Sequence, residues 1–188
     1  LPNSVRVVTV GTVTYLEFLA VRTGGRYREQ PSGGAVACAT GDDTLAVGLP
    51  DTCFRSLGPI PDLATIATGA AAGDFLVLYN LGPGMGGADA YAGGSITGGN
   101  KSRILARSAP GGNEDQINFE SLAFPLASPS NRFFVVSGPV TYACAPAAGG
   151  GTLTRIAGYP IAAAQPTPPA GAPALLANGV TACAITYN

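Results

Sequence analysis

The chain has 188 residues and a net charge of −1, and it contains neither histidine nor tryptophan. Its length suits a single domain spanning residues 1–188. Nucleic acid is not expected as a partner, because its binding needs a concentrated Lys/Arg surface and the sequence has no basic block. Without histidine, Ser-His-Asp and Cys-His catalysis in their ordinary forms and zinc sites with histidine ligands are excluded as well.

The N-terminal third of the chain predicts a hairpin and then a loop. Residues 5–10 are rich in β-branched side chains, Gly11 and Thr12 offer a turn, and residues 15–21 alternate between two faces. Residues 23–34 are predicted as a Gly-containing loop, and residues 44–47 as a short strand. The turn at residues 48–51 then leads to Cys53.

The middle of the chain combines further strands with a Gly-rich stretch. Residues 75–79 (FLVLY) form a continuous apolar run, which predicts a core strand. Residues 81–99 are predicted as a long, mobile surface loop. Four more strands are predicted at residues 102–107, 116–119, 132–137 and 140–144, the last two on either side of Gly138 and Pro139.

The C-terminal part predicts short elements. Residues 152–156 are a strand candidate, and the Pro-rich residues 165–173 should be extended, near polyproline II. A helical turn is predicted at residues 174–177 and a final strand at residues 180–187. No stretch shows a long 3.6-residue apolar period, so the fold class is predicted to be mainly antiparallel β with long loops.

Four cysteines, Cys38, Cys53, Cys144 and Cys183, lack the CxxC spacing of redox pairs and zinc knuckles. An even count in a weakly charged chain indicates disulfides and an oxidising compartment, the alternative being four buried thiols in the cytosol. Three pairings exist, and joining neighbours along the chain favours Cys38–Cys53 and Cys144–Cys183. The first would close a loop of about 15 residues and contribute about 3 kcal/mol.

Carboxylates are the candidate catalytic groups, since paired acids can hydrolyse glycosides. Glu17 lies on a predicted strand, where an arginine can pair with it, and Asp74 lies at a strand start. Glu114 and Asp115 are predicted in a polar turn at residues 111–116, and Glu120 lies further on. No spacing brings two of them together, so no catalytic residue is predicted.

Two other patterns favour structural interpretations over binding, and a third leaves both interpretations open. Acidic residues inside the first cysteine loop could bind calcium, but they lack an EF-hand pattern and suit turns. Residues 82–87 match GxGxxG, yet the glycines of residues 88–99 cannot sustain the helix that a dinucleotide site needs. We predict no cofactor and no metal. The acidic residues in question are Asp42, Asp43 and Asp51.

The local basic cluster consists of Arg22, Arg26, Arg28 and Tyr27. It either contacts an acidic patch on a neighbouring subunit or forms a solvated loop paired with Glu29. Arg132, before Phe133, is predicted to be structural.

Six segments in order resemble a known family: LPNSVRV, YLEFLAVRTGGRYR, GDFLVLYNLGPG, SPSNRFFVVSGPVTYAC, LTRIAGYPI and NGVTACAITY. Together they resemble the MshO type of minor pilin, from biogenesis of the mannose-sensitive haemagglutinin (MSHA) type IV pilus. More distantly they resemble the J-type pseudopilins of type II secretion. Such proteins combine a leader peptide, an apolar N-terminal helix and a β-rich head.

The resemblance implies that this chain is a pilin-like head domain that lacks its N-terminal helix. The full-length protein, which includes the helix, would be α+β. LPNSVR would follow the helix, which anchors the subunit in the inner membrane before assembly. The first residue is leucine and the only Met is Met85, so we expect a processed or truncated product. The resemblance also implies a Cys144–Cys183 bridge. Family members usually continue beyond the last motif, which implies a missing C-terminal part or a shorter protein.

The expected function is therefore structural and non-enzymatic. A minor pilin would prime or cap a filament through other minor and major pilin subunits, first at the periplasmic face of the inner membrane and then at the extracellular filament tip. The alternative is a secreted β-sandwich that acts as an adhesin or ligand-binding module. An enzyme relying on carboxylates alone is the third hypothesis.

Overall fold

The structure is a computed structural model that describes residues 1–31, 38, 43–92, 94–111, 113–185 and 187. Within these residues, nine antiparallel strands form a single sheet in the order β1-β2-β7-β4-β5-β6-β3, with β8 and β9 added beside β7. The predicted fold class, a mainly β structure with disulfides, is confirmed. The strands are β1 Arg6–Val10, β2 Val13–Arg26, β3 Asp51–Arg55, β4 Phe75–Leu78, β5 Lys101–Gly111, β6 Glu114–Leu122, β7 Arg132–Ala145, β8 Gly151–Ala157 and β9 Ala172–Val180, with 3₁₀ turns at Leu63–Thr65 and Pro129–Asn131.

The predicted N-terminal hairpin is present, but its second strand is longer than expected. β2 continues to Arg26 because β7 runs beside it throughout, so the loop predicted from residue 23 is wrong over its first four residues. Gly24 belongs to this pairing, since a Cβ there would lie 2.7 Å from the Phe133 carbonyl oxygen. Residues 32–34 of the predicted loop lie outside the described residues.

β7 is one continuous strand where the sequence predicts two. Gly138 and Pro139 lie within it, and next to them the pairing with β2 shifts register between Ala20 and Val21 and again between Val21 and Thr23. Gly138 has a φ of 137°, which only glycine adopts readily. The N-terminal half of β7 also pairs with β4, and its C-terminal half pairs with β8. β2 and β7 thus connect the two halves of the sheet.

The first half of the sheet, which we call the curled half, closes around the main core. β4, β5, β6 and β3 follow β7, and a bridge from Tyr27 to Ser56 brings the end of β2 back to the end of β3. Aromatic rings fill the interior, with Phe54 packed edge-on against Phe133 at 5.0 Å. The buried cluster comprises Tyr27, Leu45, Phe54, Ile60, Ile66, Leu76, Leu78, Ile104, Ile117, Phe119, Leu122, Phe124, Phe133 and Val135.

The second half, the open half, consists of β1, β2, β7, β8 and β9 in that spatial order. Because side chains alternate along strands, its two faces can be read from the register. The covered face carries Tyr15, Glu17, Leu19, Thr141, Ala143 and Ile156, all buried. The bare face carries Val7, Leu16, Phe18, Tyr142 and Leu153, which are half-buried or exposed, together with the buried Val140 and Cys144.

The C-terminal elements differ from the prediction. Residues 174–177 are strand and not helix, because β9 pairs with β8 from Ala172 to Val180. The predicted strand at 180–187 is wrong, because its described residues after Val180 are irregular. Residues 44–47 contribute only the Val47–Phe124 bridge. The sequence prediction missed β3, whose residues Asp51–Arg55 pair with β6.

Both disulfides join the cysteines that are neighbours along the chain. Cys38 bonds to Cys53 with a Cα–Cα distance of 5.5 Å, and Cys144 bonds to Cys183 with a Cα–Cα distance of 6.3 Å. The second bridge ties the segment after β9 back to β7, on the bare face. Two such bridges indicate an oxidising, non-cytoplasmic compartment.

Candidate functional site

The most elaborate polar site is a buried cluster on the covered face, built around Glu17. The Glu17 side chain is fully buried, and the Arg6 guanidinium contacts its Oε1 at 2.6 and 2.7 Å. Tyr159 Oη donates to Oε2 at 3.0 Å, and Thr141 Oγ1 lies 3.4 Å from the same oxygen. The carboxylate therefore has partners on both oxygens, as a buried charge requires.

Arg6 extends this cluster to two loops. Its guanidinium lies 3.7 Å from the centre of the Tyr91 ring, and two of its nitrogens donate to the carbonyl oxygens of Ala162 and Ala163. Gln165 Nε2 donates to the Tyr15 carbonyl oxygen at 3.1 Å. These contacts hold the segment between β8 and β9 over the covered face.

The two tyrosines of the cluster are fixed in their neutral form. Burial raises the pKa of Tyr91 far above its ordinary value, and the nearby Glu17 charge acts in the same direction. Burial also raises the pKa of Tyr159, again with a contribution from Glu17. Neutral phenols remain hydrogen-bond donors at any ordinary pH, so the arrangement is suited to holding elements together.

The opening segment of the chain is bound into this site. The Leu1 nitrogen donates to the Leu19 carbonyl oxygen at 2.7 Å, and Ser4 Oγ accepts from the Leu19 amide at 3.1 Å. Tyr91 Oη donates to the Ser4 carbonyl oxygen at 2.6 Å. Asn3 Nδ2 donates to the Asn80 carbonyl oxygen at 3.1 Å, and Asn80 Nδ2 donates to the Pro2 carbonyl oxygen at 2.8 Å.

The sole lysine, Lys101, holds the Gly-rich segment of residues 81–99. Its buried ammonium donates to the carbonyl oxygens of Ala90 and Ala92 and lies 5.0 Å from the centre of the Phe75 ring. Burial lowers the pKa of Lys101 to about 8, although the nearby Asp89 opposes the shift.

The Gly-rich segment was predicted as a mobile surface loop, and this is wrong for its central part. Ala88, Ala90 and Tyr91 are fully buried. Ala90 and Tyr91 pack with Leu19 and Val136 in the apolar cluster that continues from the covered face. The GxGxxG match at residues 82–87 is followed by no helix in the described residues, as expected from the glycines.

The other predicted carboxylates lie apart in separate structural contacts. Asp74 Oδ2 contacts Arg22 at 2.6 Å and accepts from the Ala67 amide at 2.9 Å. Asp115 Oδ2 accepts from the Ile60 amide at 2.5 Å, and Glu114 contacts Arg28 and, at 3.9 Å, Arg55. Glu114 and Asp115 begin β6, so the turn predicted for them ends before residue 114.

Glu120 is half-buried on β6, and only its carbonyl oxygen has a described side-chain partner, Ser102. A surface cleft of about 610 Å³ contains Arg103 and Phe75 but has no carboxylate in its described lining. The predicted carboxylates therefore form no pair around a cleft within the described part of the chain.

The calcium candidates likewise have protein partners. Asp51 accepts from the amides of Ala46, Thr52 and Cys53 at 2.9, 2.7 and 3.2 Å. The Asp43 carboxylate lies 3.7 Å from Arg28, and Asp42 lies outside the described residues. Among the described residues, no group of three or more potential ligands could hold a metal ion.

The predicted arginine cluster is dispersed by the strand geometry. Arg22 pairs with Asp74. Arg28 contacts Asp43 and Glu114, whereas one of the two sequence interpretations paired the cluster with Glu29. Tyr27 is buried, and its Oη accepts from the Ser128 amide at 3.1 Å. Arg26 is exposed at the end of β2, and Arg132 is exposed at the start of β7.

Sequence reasoning identified Glu17 and an arginine partner but not the surrounding cluster. Arg6 could have been found, because the predicted hairpin places it opposite Glu17. Tyr159, Tyr91 and Lys101 could not, because long loops bring them to the site and no local pattern marks them.

The comparisons identify no relative: no protein-family model, no curated protein and no solved structure matches the chain. In the described part of the chain, no helix has the length and apolar character needed to cross a membrane.

Proposed function

We propose that this chain is the head of a minor-pilin-like subunit, which helps to prime or cap a type IV pilus or a related filament. Its role is structural and involves no reaction. The subunit would work with other minor and major pilin subunits, first at the periplasmic face of the inner membrane and then at the filament tip. Six ordered motifs resembling the MshO type of minor pilin motivate the proposal.

The observation that carries the proposal is the attachment of residues 1–4 to the head. A subunit that is moved by its N-terminal helix must pass force and orientation to the head through the residues that follow this helix. Leu1 and Ser4 are bonded to the backbone of β2, and Asn3 is bonded to Asn80. Such a junction suits a rigid connection better than a flexible linker, which would be rich in glycine and unbonded.

The polar groups of the chain also suit a structural role. Glu17, Asp74 and Asp115 use their carboxylates to join separate segments. A general acid or base must instead reach a substrate in an accessible site. The Glu17 carboxylate is fully buried, and the described lining of the 610 Å³ cleft has no acid.

The test is the N-terminal sequence of the native protein isolated from cells, by mass spectrometry. We expect an N-methylated, strongly apolar helix that continues directly into Leu1. A mature N-terminus near Leu1, produced by an ordinary signal peptide, would overturn the proposal and favour a freely secreted adhesin or ligand-binding module.

A further inference from the structure

The bare face of the open half is an apolar surface that the described chain leaves largely uncovered. Phe18 and Tyr142 stack at 6.0 Å across β2 and β7 at its centre, and Val7 is 42% exposed at one side. Residues 159–165, between β8 and β9, lie on the other side of the sheet, where they bond to the covered face. The tail after β9 returns to this face through the bond between Cys183 and Cys144.

The register of the described strands places one charged side chain, that of Arg155, on this surface. Arg155 is exposed on β8 and pairs in register with Tyr142 of β7, which places its side chain on the bare face. No ion pair or side-chain hydrogen bond of Arg155 occurs within the described residues. The described strand residues on this face include no Asp or Glu, whereas the covered face includes Glu17. A partner that carries a carboxylate would therefore complement this face.

The size of the face fits one or two helices. Five strands at about 4.8 Å spacing give a width of about 24 Å, and seven residues of strand give a length of about 23 Å. A helix has a diameter of about 10 Å, and 18 residues extend for about 27 Å. A helix also satisfies its own backbone hydrogen bonds, whereas a lone strand lying on a sheet face would leave its backbone unpaired.

A second copy of the chain is a poorer occupant. Stacking two bare faces would bring two Arg155 side chains into one interface with no carboxylate from either described face. Buried like charges without partners are costly. A helix with one acidic side chain in its apolar stripe avoids this cost.

We propose that the bare face binds an amphipathic helix of another protein, whose apolar stripe contains one carboxylate that pairs with Arg155. This inference rests on the assembly role proposed above, because the helix would belong to another filament subunit. The apolar stripe would cover Phe18, Tyr142 and Leu153.

The test uses the 188-residue chain and two synthetic 18-residue amphipathic helical peptides. They are identical except for one position in the apolar stripe, which is Glu in one and Lys in the other. Titration by calorimetry should show that the Glu peptide binds about tenfold more tightly, as one well-placed ion pair allows. Arg155→Glu should reverse this order.

Two controls separate the face from the rest of the surface. Leu153→Ser should weaken both peptides, whereas Leu126→Ser, at a leucine that is 39% exposed outside the open half, should weaken neither. Thermal unfolding of each variant verifies folding. Equal affinity for the two peptides, or an unchanged order with Arg155→Glu, would overturn the inference, as would a dimer of the chain that Leu153→Ser dissociates.

The two proposals fail separately. A pilin-type N-terminus on the native protein, together with no discrimination between the peptides, would overturn only the docking inference. Discrimination that Arg155→Glu reverses, together with an ordinary signal-peptide cleavage site, would overturn only the filament role.

Discussion

The two faces of the open half are made by the same five strands but differ in what covers them. On the covered face, loops from distant parts of the chain bring Tyr91 and Tyr159 onto Glu17 and Arg6. On the bare face, Leu16, Phe18 and Tyr142 have neighbours within the sheet but no described loop above them, so they remain half-buried. Strand alternation alone creates both faces, and the long connections decide which of them becomes core.

This difference shows where the stability of the fold is concentrated. A buried charged pair on one face fixes three separate segments, and its loss leaves a charge without a partner. An apolar side chain on the other face contributes only the part of its surface that the sheet already covers. The same type of substitution should therefore have very different effects on the two faces.

The largest effect is expected for Glu17→Ala. It leaves the Arg6 guanidinium in a mostly buried site without its carboxylate and removes the acceptor of Tyr159 Oη. Breaking such a pair should lower the free energy of unfolding by about 3–5 kcal/mol. Urea denaturation measures the change. Glu120→Gln on β6 is the control and should change it by less than about 0.5 kcal/mol; a similar small change for Glu17→Ala would mean that the cluster contributes little.

A pair of leucines on β2 compares the faces directly. Leu19 is fully buried on the covered face, and Leu16 is half-buried on the bare face. Leu19→Ala should cost about 3 kcal/mol, because it removes buried methyl groups and leaves a cavity. Leu16→Ala should cost less, about 1–2 kcal/mol, because part of its surface is already exposed and its removal leaves no closed cavity. Equal losses in urea denaturation would show that the bare face is covered in solution.

The sequence predicted much of the sheet and little of its covering. The hairpin, the core strand at Phe75 and the preferred disulfide pairing follow from local pattern or separation along the chain. The helical turn predicted at residues 174–177 failed because β8 offers these residues a partner, and pairing outweighs weak local propensity.

The covered site was predictable only where one strand pair determines it. Arg6 and Glu17 are opposite each other in a hairpin, so their contact follows from register. Tyr159 reaches Thr141 across 18 positions of chain and Glu17 across 142. Contacts of this range depend on the complete fold, and neither spacing nor composition indicates them.

Lys101 provides an effect smaller than those of Glu17→Ala and Leu19→Ala, and it tests whether the Gly-rich segment is held over the continuation of the covered face. Its pKa of about 8 lies below the ordinary value of 10.5, owing first to burial, with Arg103 acting in the same direction and Asp89 opposing it. The unfolded chain therefore binds more protons between these values, and stability rises with pH in that window. Between pH 8 and 10 the gain from this group should be about 2 kcal/mol.

At still higher pH the tyrosines reverse the trend. The raised pKa values of Tyr91 and Tyr159 mean that their phenols ionise first in the unfolded chain, so stability falls above about pH 10. Lys101→Met isolates the lysine, because the difference between variant and parent cancels the tyrosines. In urea denaturation at pH 8, 9 and 10, the variant should lack the rise of the parent. If both chains rise equally, Lys101 titrates as an exposed lysine does and the Gly-rich segment is not held over this part of the sheet.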